Sequence, residues 1–170
     1  MEQLAQRLHT FNNLIGRGVS WLTLAMVLVT FLVVVLRYAF DLGWIWLQES
    51  VTYMHALVFM LGAAYTLGEN EHVRVDILYN RFTDRGRAWV NCLGIVFLLV
   101  PFCSLILFTS WDYVESAWAV TEGSPQAGGL DGVYLLKTII LVMPVLLLLQ
   151  GLAHFLQQLA VLTSPKAEEN

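Results

Sequence analysis

Charged residues are scarce in this 170-residue chain. Asp, Glu, Lys and Arg together make up 13% of it, and 58% is hydrophobic, whereas soluble domains carry about 25% charged residues. So few charges cannot cover this much apolar surface in water, which excludes an ordinary soluble domain. The chain also lacks a basic cluster for nucleic acid, a Gly-rich phosphate loop, a metal-ligand spacing and a nucleophile–base pair. We therefore expect neither an enzyme nor a nucleic-acid-binding protein.

Cysteine is also rare. Cys92 and Cys103 are the two cysteines, and they fall in one apolar stretch. If that stretch is a helix, they lie about 16 Å apart along its axis, too far for a disulfide. We predict two buried free thiols. The first apolar run starts late and is too long for a signal peptide, so we read it as a retained membrane anchor.

Long apolar runs dominate the chain. Four of them, at about 18–40, 46–68, 88–111 and 133–159, are each long enough to cross roughly 30 Å of hydrocarbon. None alternates as a barrel strand would, and helices satisfy the backbone in lipid. The predicted fold is an all-α membrane protein with four transmembrane helices plus short interfacial amphipathic helices. Residues 18–159 form this membrane domain.

The distribution of positive charge predicts the orientation. Seven basic residues fall on one side of the predicted spans: Arg7, Arg17, Arg74, Arg81, Arg85, Arg87 and Lys166. Only Arg37 and Lys137 fall near the other side. The positive-inside rule then places both termini in the cytoplasm. Most Trp and Tyr residues gather at the ends of the spans, as an interfacial belt would, although a stacking platform for a ligand is the alternative.

Two amphipathic segments flank the spans. In the predicted N-terminal cytoplasmic segment, 1–17, apolar residues recur at helical spacing, which predicts a helix on the membrane surface. The loop after the second span repeats this pattern through Val73, Ile77, Leu78 and Phe82. Either face could bind lipid or a soluble partner. The residues 160–170 form a predicted cytoplasmic tail.

Arg37 and Glu49 are charged groups about one turn inside predicted spans. The connection between these spans is short, so the two residues should lie at similar depth. We predict an Arg37–Glu49 ion pair, because pairing lowers the cost of burying either charge. The pair could clamp the helix hairpin, contact a partner subunit, or serve a substrate or proton site. We favour the clamp.

Other polar residues within the spans suggest helix contacts. His55 lies near the middle of the second span and His154 toward the end of the fourth. Their different depths disfavour a shared haem, so we predict hydrogen bonding between helices, as for Gln48, Thr66 and Gln150. Gly62, Ala63 and Ala64 offer a small surface for close helix packing. No internal repeat is present, which argues against a complete transporter of inverted halves.

Several motifs occur in a characteristic order. Arg37-Tyr38 ends the first span, and Trp46-Leu47-Gln48-Glu49 opens the second. Gly62-Ala63-Ala64 follows, and then His72-Val73-Arg74-Val75-Asp76 lies in the next loop. With the later run from Glu122 to Leu130, they resemble the small membrane subunit of tripartite ATP-independent periplasmic (TRAP) transporters. The resemblance covers roughly residues 15–159.

The resemblance implies a division of labour. A large multi-span membrane subunit would hold the substrate and sodium sites, and a periplasmic binding protein would capture an organic acid. This chain would be a scaffold in the bacterial inner membrane, with no cofactor and no substrate site of its own. Motif residues would be structural or lie at the subunit interface: Arg37, Glu49, Gly62, Ala63, Ala64, His72, Arg74 and Asp76. The alternatives are a haem-binding anchor of a redox complex and a small dimeric exporter.

Overall fold

A computed structural model of the chain describes residues 2–69 and 82–163, with the side chains of Glu2 and Leu4 outside the description. Within these ranges the chain forms four long helices: α1 at Glu2–Phe40, α2 at Ile45–Gly68, α3 at Asp84–Ala119 and α4 at Val133–Thr163. Each is long and apolar enough to cross a membrane. The described part of the chain therefore confirms the predicted class of an all-α protein with four spans.

The helices are arranged around α4. It packs against α1, against α2 and against both halves of α3, while α1 and α2 form an antiparallel hairpin. The buried core holds Ala64 from α2, Cys103 from α3, and Leu146 and Leu147 from α4. Cys92 and Cys103 are both buried and free, as predicted. Many large apolar side chains of α1 and α3 are exposed, as expected of a protein surrounded by lipid or partner helices, whereas most of those on α2 are half-buried.

The helix α1 is longer than the predicted first span. Its 39 residues run without a break from Glu2 to Phe40, which corresponds to about 58 Å. From Glu2 onward the amphipathic segment therefore continues the first span as one helix, and no turn separates the two. Asn12 and Ile15 of this segment pack on α4 and on the core, which explains the continuation. The second amphipathic segment falls largely in 70–81, outside the described residues.

A wide turn interrupts α3. Residues Ile95–Leu99 form a π-helical turn, and the N–H of Val100 donates to the carbonyl of Ile95, five residues back. Pro101 follows directly, and its ring lacks an N–H and would collide with the preceding turn of a regular helix. The extra residue in the wide turn removes that conflict. Leu99 then packs against Gly151 of α4, where a larger residue would overlap it.

Candidate functional site

The two ends of the bundle carry different polar groups. We call the end with residues 41–44 and 120–132 the loop end. The opposite end, where α1 begins and α4 finishes, is the terminal end. Between them, the described spans hold no Asp, Glu, Lys or Arg in 18–36, 50–68, 88–111 or 138–163. Among the described residues, any site that uses an Asp, Glu, Lys or Arg side chain must therefore lie at one of the two ends.

Glu49 joins α2 to the connection between α3 and α4. Its Oε1 accepts a hydrogen bond from Ser124 Oγ at 2.5 Å, and its Oε2 accepts one from the backbone N–H of Leu130 at 2.7 Å. We call Glu49, Ser124 and Leu130 the Glu49 clamp. Because one carboxylate holds both sides of the turn, residues 124–130 are held against the start of α2.

Two glycines allow residues 124–130 to lie close to Glu49. A Cβ at Gly129 would overlap Ser124 and lie 2.7 Å from Glu49 Oε2. Gly128 has a φ of 79°, a left-handed conformation that glycine adopts without strain. Its carbonyl accepts the backbone N–H of Trp46 at 3.1 Å. The loop thereby satisfies one of the N–H groups that the first turn of α2 cannot bond within the helix.

A second polar contact joins the start of α4 to the same connection. Lys137 Nζ lies 2.5 Å from Glu122 Oε2 and 3.9 Å from the centre of the Tyr113 ring. Beside it, Trp118 donates to Thr138 Oγ1 at 2.9 Å and packs edge-on against Tyr134. These contacts link the end of α3 to the start of α4. Together with the Glu49 clamp they tie three helices into one structured surface at the loop end.

The predicted Arg37–Glu49 ion pair is wrong. Arg37 is exposed near the end of α1, and no ion pair joins it to another residue in 2–69 or 82–163. Glu49 bonds instead to the connection between α3 and α4, where the Ser124 hydroxyl and the Leu130 N–H donate to its carboxylate. Sequence reasoning missed Ser124 and Leu130 as these partners. The available signal was the Gly-rich run from Glu122 to Leu130, which we used only as one of the motifs of the family resemblance.

The terminal end contains a buried pair of amides. Asn12 Nδ2 donates to Gln150 Oε1 at 2.8 Å, and the two residues are 2% and 1% exposed. Gln150 Nε2 and His9 Nδ1 are 3.4 Å apart, and His9 Nε2 lies 3.9 Å from Glu69 Oε1. His154 Nε2 lies 2.9 Å from the carbonyl of Leu67. These contacts join α1, α2 and α4, and they confirm the predicted interhelical role of Gln150 and His154.

Replacing Gln150 with leucine is expected to destabilise this end. The substitution removes the acceptor of the Asn12 amide, and hydrogen bonds between helices in membranes contribute about 0.6–1.7 kcal/mol. We expect the free energy of unfolding in detergent to fall by about that amount. Gln157→Leu, at an exposed position of the same helix, is the control and should change little. An equal loss in both variants would contradict a specific role for the amide pair.

The other predicted residues are distributed differently. Ala64 is 1% exposed and lies in the core, and Ala63 packs against it. Gly62 faces open space. His55 is exposed, and Thr66 bonds the Gly62 carbonyl of its own helix, so neither makes the predicted contact between helices. His72, Arg74 and Asp76 lie outside the described residues. No group of three His, Cys, Asp or Glu side chains suited to a metal gathers in the described ranges.

Four apolar spans, a structured loop end and a polar terminal end define a multi-pass helical membrane protein. The family model for tripartite ATP-independent periplasmic transporters, DctQ component, matches residues 26–161. The chain therefore belongs to this family of small TRAP membrane subunits, and it is a component of a transporter in the inner membrane. The match begins within α1, includes all of α2 and α3, and ends two residues before the end of α4.

Two relatives are similar over more than half of the chain. The chain is 33% identical over 107 residues to the C4-dicarboxylate TRAP transporter small permease protein DctQ of Vibrio cholerae, a match that covers 60% of this chain and 46% of that protein. It is 34% identical over 111 residues to a Haemophilus influenzae protein provisionally named TRAP transporter small permease protein, covering 64% and 68% of the two chains. The chain thus spans about half the length of the Vibrio relative. No solved structure matches it significantly.

Proposed function

We propose that this chain is the static scaffold subunit of a sodium-coupled TRAP transporter for organic acids. A large membrane subunit would bind sodium and substrate and would move, while this chain holds its fixed part in the bilayer. The observation that carries the proposal is the absence of Asp, Glu, Lys and Arg at mid-depth in the described spans. Coupling sites in secondary transporters lie near the membrane midplane, so a chain without charge there suits support better than transport.

The loop end suits the docking of a periplasmic binding protein. The Glu49 clamp and the Lys137–Glu122 pair preorganise this surface, and a preordered surface loses less entropy on binding. Asp112, Glu115 and Asp131 remain exposed there. We infer that the loop end faces the periplasm and both termini face the cytoplasm, as the basic residues Arg7, Arg17, Arg85 and Arg87 near the terminal end favour.

Co-purification tests the scaffold role. The tagged chain, co-expressed with the large membrane subunit of its transporter and solubilised mildly, is expected to elute as an equimolar complex. Sodium-driven uptake of an organic acid into proteoliposomes, with binding protein outside, should be lost when this chain is omitted. A chain that elutes alone, or uptake that proceeds unchanged without it, would overturn the proposal. A haem absorbance band in the purified chain would instead revive the redox-anchor alternative.

A further inference from the structure

One face of α2 differs from the other outward faces of the bundle. Five residues follow one another along this face at alternating spacings of four and three positions. That spacing places them within one narrow sector of the helix. We call this face the α2 stripe, formed by Gln48, Thr52, His55, Phe59 and Gly62. The first four are exposed. Buried Leu47 and Ala64 lie away from it, on the faces that pack inside the chain.

The α2 stripe carries polar groups within the depth of the membrane. His55 lies ten residues into a 24-residue helix, about 15 Å from its start. Within the described ranges, the side chains of Thr52 and His55 make no hydrogen bond, and His55 only stacks on Phe59 with ring centres 6.3 Å apart. Acyl chains cannot supply donors or acceptors. A lipid-facing position would therefore leave both groups unsatisfied.

Most exposed serine and threonine hydroxyls on the outward faces of α1 and α3 donate to a carbonyl of their own helix. Thr30 of α1 donates to the Met26 carbonyl at 2.7 Å, and Thr109 of α3 donates to the Leu105 carbonyl at 2.8 Å. Their exposed neighbours are large and apolar, such as Phe31 and Phe108. Thr23 of α1 is an exception, since it is exposed and makes no hydrogen bond in the described ranges, but it lies only six residues from Arg17, near the terminal end. Residues 18–40 of α1 and 88–119 of α3 contain no histidine, so neither face carries a counterpart of His55.

The α2 stripe also has room for a close neighbour. A Cβ added at Gly62 would meet nothing within 4 Å, so the backbone there is open on its outer side. Small residues allow helices in membranes to approach closely, and His and Thr side chains then bond across the contact. Phe59, which is 74% exposed, stands beside this opening as a large apolar contact group.

We propose that the α2 stripe is the surface on which a transmembrane helix of the large membrane subunit packs. That helix would approach Gly62, cover Phe59, and present hydrogen-bonding groups to Thr52 and His55. The inference rests on the proposed function and deepens it by naming the face involved. We choose the large subunit over a second copy of this chain because the family is one component of a multi-component transporter.

Photocrosslinking maps the contact directly. The photoreactive residue p-benzoylphenylalanine replaces Phe59 on α2, and matched variants carry it at Phe31 on α1 or Phe108 on α3, which are 67% and 82% exposed. In the co-expressed complex, irradiation is expected to join the Phe59 variant to the large subunit at least tenfold more than either matched variant. A product joining two copies of this chain, or stronger crosslinking at Phe31 or Phe108, would overturn the proposed surface.

A bulky side chain at Gly62 tests the contact by a different route. Gly62→Leu and the control Gly94→Leu both add a side chain where nothing lies within 4 Å of the Cβ position. We expect both purified chains to keep the melting temperature of the parent. Only Gly62→Leu should lose the large subunit on co-purification, by tenfold or more. Normal retention with Gly62→Leu would overturn the proposal.

Different results would contradict the scaffold function and the assignment of the α2 stripe. If the parent chain does not co-purify with the large subunit, the scaffold function fails and the surface fails with it. If the parent chain co-purifies but Phe59 gives no crosslink above the Phe31 and Phe108 variants, only the assignment of the α2 stripe is wrong. The parent complex is therefore measured in every experiment as the reference.

Discussion

Glu49→Ala is expected to release residues 124–130 from the start of α2. The alanine removes both acceptors of the Glu49 clamp, and the backbone N–H of Leu130 and the hydroxyl of Ser124 lose their partner. We expect amide hydrogen exchange in the peptide containing Leu130 to accelerate at least tenfold. If the loop end docks the binding protein, uptake by the reconstituted transporter should fall as well, since an unheld loop must be ordered during binding.

Two further variants serve as the negative and the positive control for faster exchange at Leu130. Glu115→Ala removes an exposed carboxylate near the same end of the bundle and should leave exchange at Leu130 unchanged. Gly129→Ala keeps Glu49 but places a Cβ against Ser124 and Glu49 Oε2, so it should reproduce the faster exchange. Unchanged exchange in Glu49→Ala would show that the loop holds its conformation without the carboxylate, and the clamp would lose its assigned role.

Gly16→Ala should separate α1 from α2. The added Cβ would overlap the Tyr65 ring and lie 2.5 Å from the Tyr65 Cβ. The Tyr65 Cβ is attached to the backbone of α2, so rotation of the tyrosine side chain cannot relieve the whole overlap. Overpacking of a close contact costs about 1–3 kcal/mol. We expect a loss of that size in the free energy of unfolding, measured by thermal or denaturant unfolding in detergent.

Gly18→Ala is the matched control on the same helix. A Cβ at Gly18 meets nothing within 4 Å, and alanine favours helix over glycine by about 1 kcal/mol. This variant should therefore match or exceed the stability of the parent chain. If both variants behave alike, the effect at Gly16 would reflect helix propensity, and the close approach of α1 to α2 would not be the cause.

Local sequence was sufficient to predict the four helices and some of the contacts between them. Runs of about twenty apolar residues have one low-energy conformation in lipid, so four spans could be predicted without knowledge of their packing. Gln150 and His154 could be predicted as contacts between helices because a polar group in such a run needs a partner. His55 was predicted to make the same kind of contact within the chain and does not. Its position in the sequence says nothing about which side of α2 faces inward.

The error at Glu49 has a clear physical origin. Depth along the membrane normal follows from counting residues, and Arg37 and Glu49 were expected to lie at similar depth. Rotation about the helix axis does not follow from counting, and it decides whether two side chains at one depth can meet. In the structure Glu49 turns to the connection between α3 and α4. Opposite charge at equal depth was therefore insufficient to predict a pair.

The apolar runs and the ordered motifs by themselves determined the class of this protein, its four spans and its family resemblance, because hydrophobic length and composition are properties of each segment alone. Only the tertiary structure decided that α4 contacts every other helix, that Asn12 meets Gln150 across the terminal end, and that Glu49 holds Ser124 and Leu130. The physical reason is that such contacts join residues far apart in the chain, 138 positions for Asn12 and Gln150 and 75 for Glu49 and Ser124. They depend on how the helices rotate and cross, which no single segment encodes.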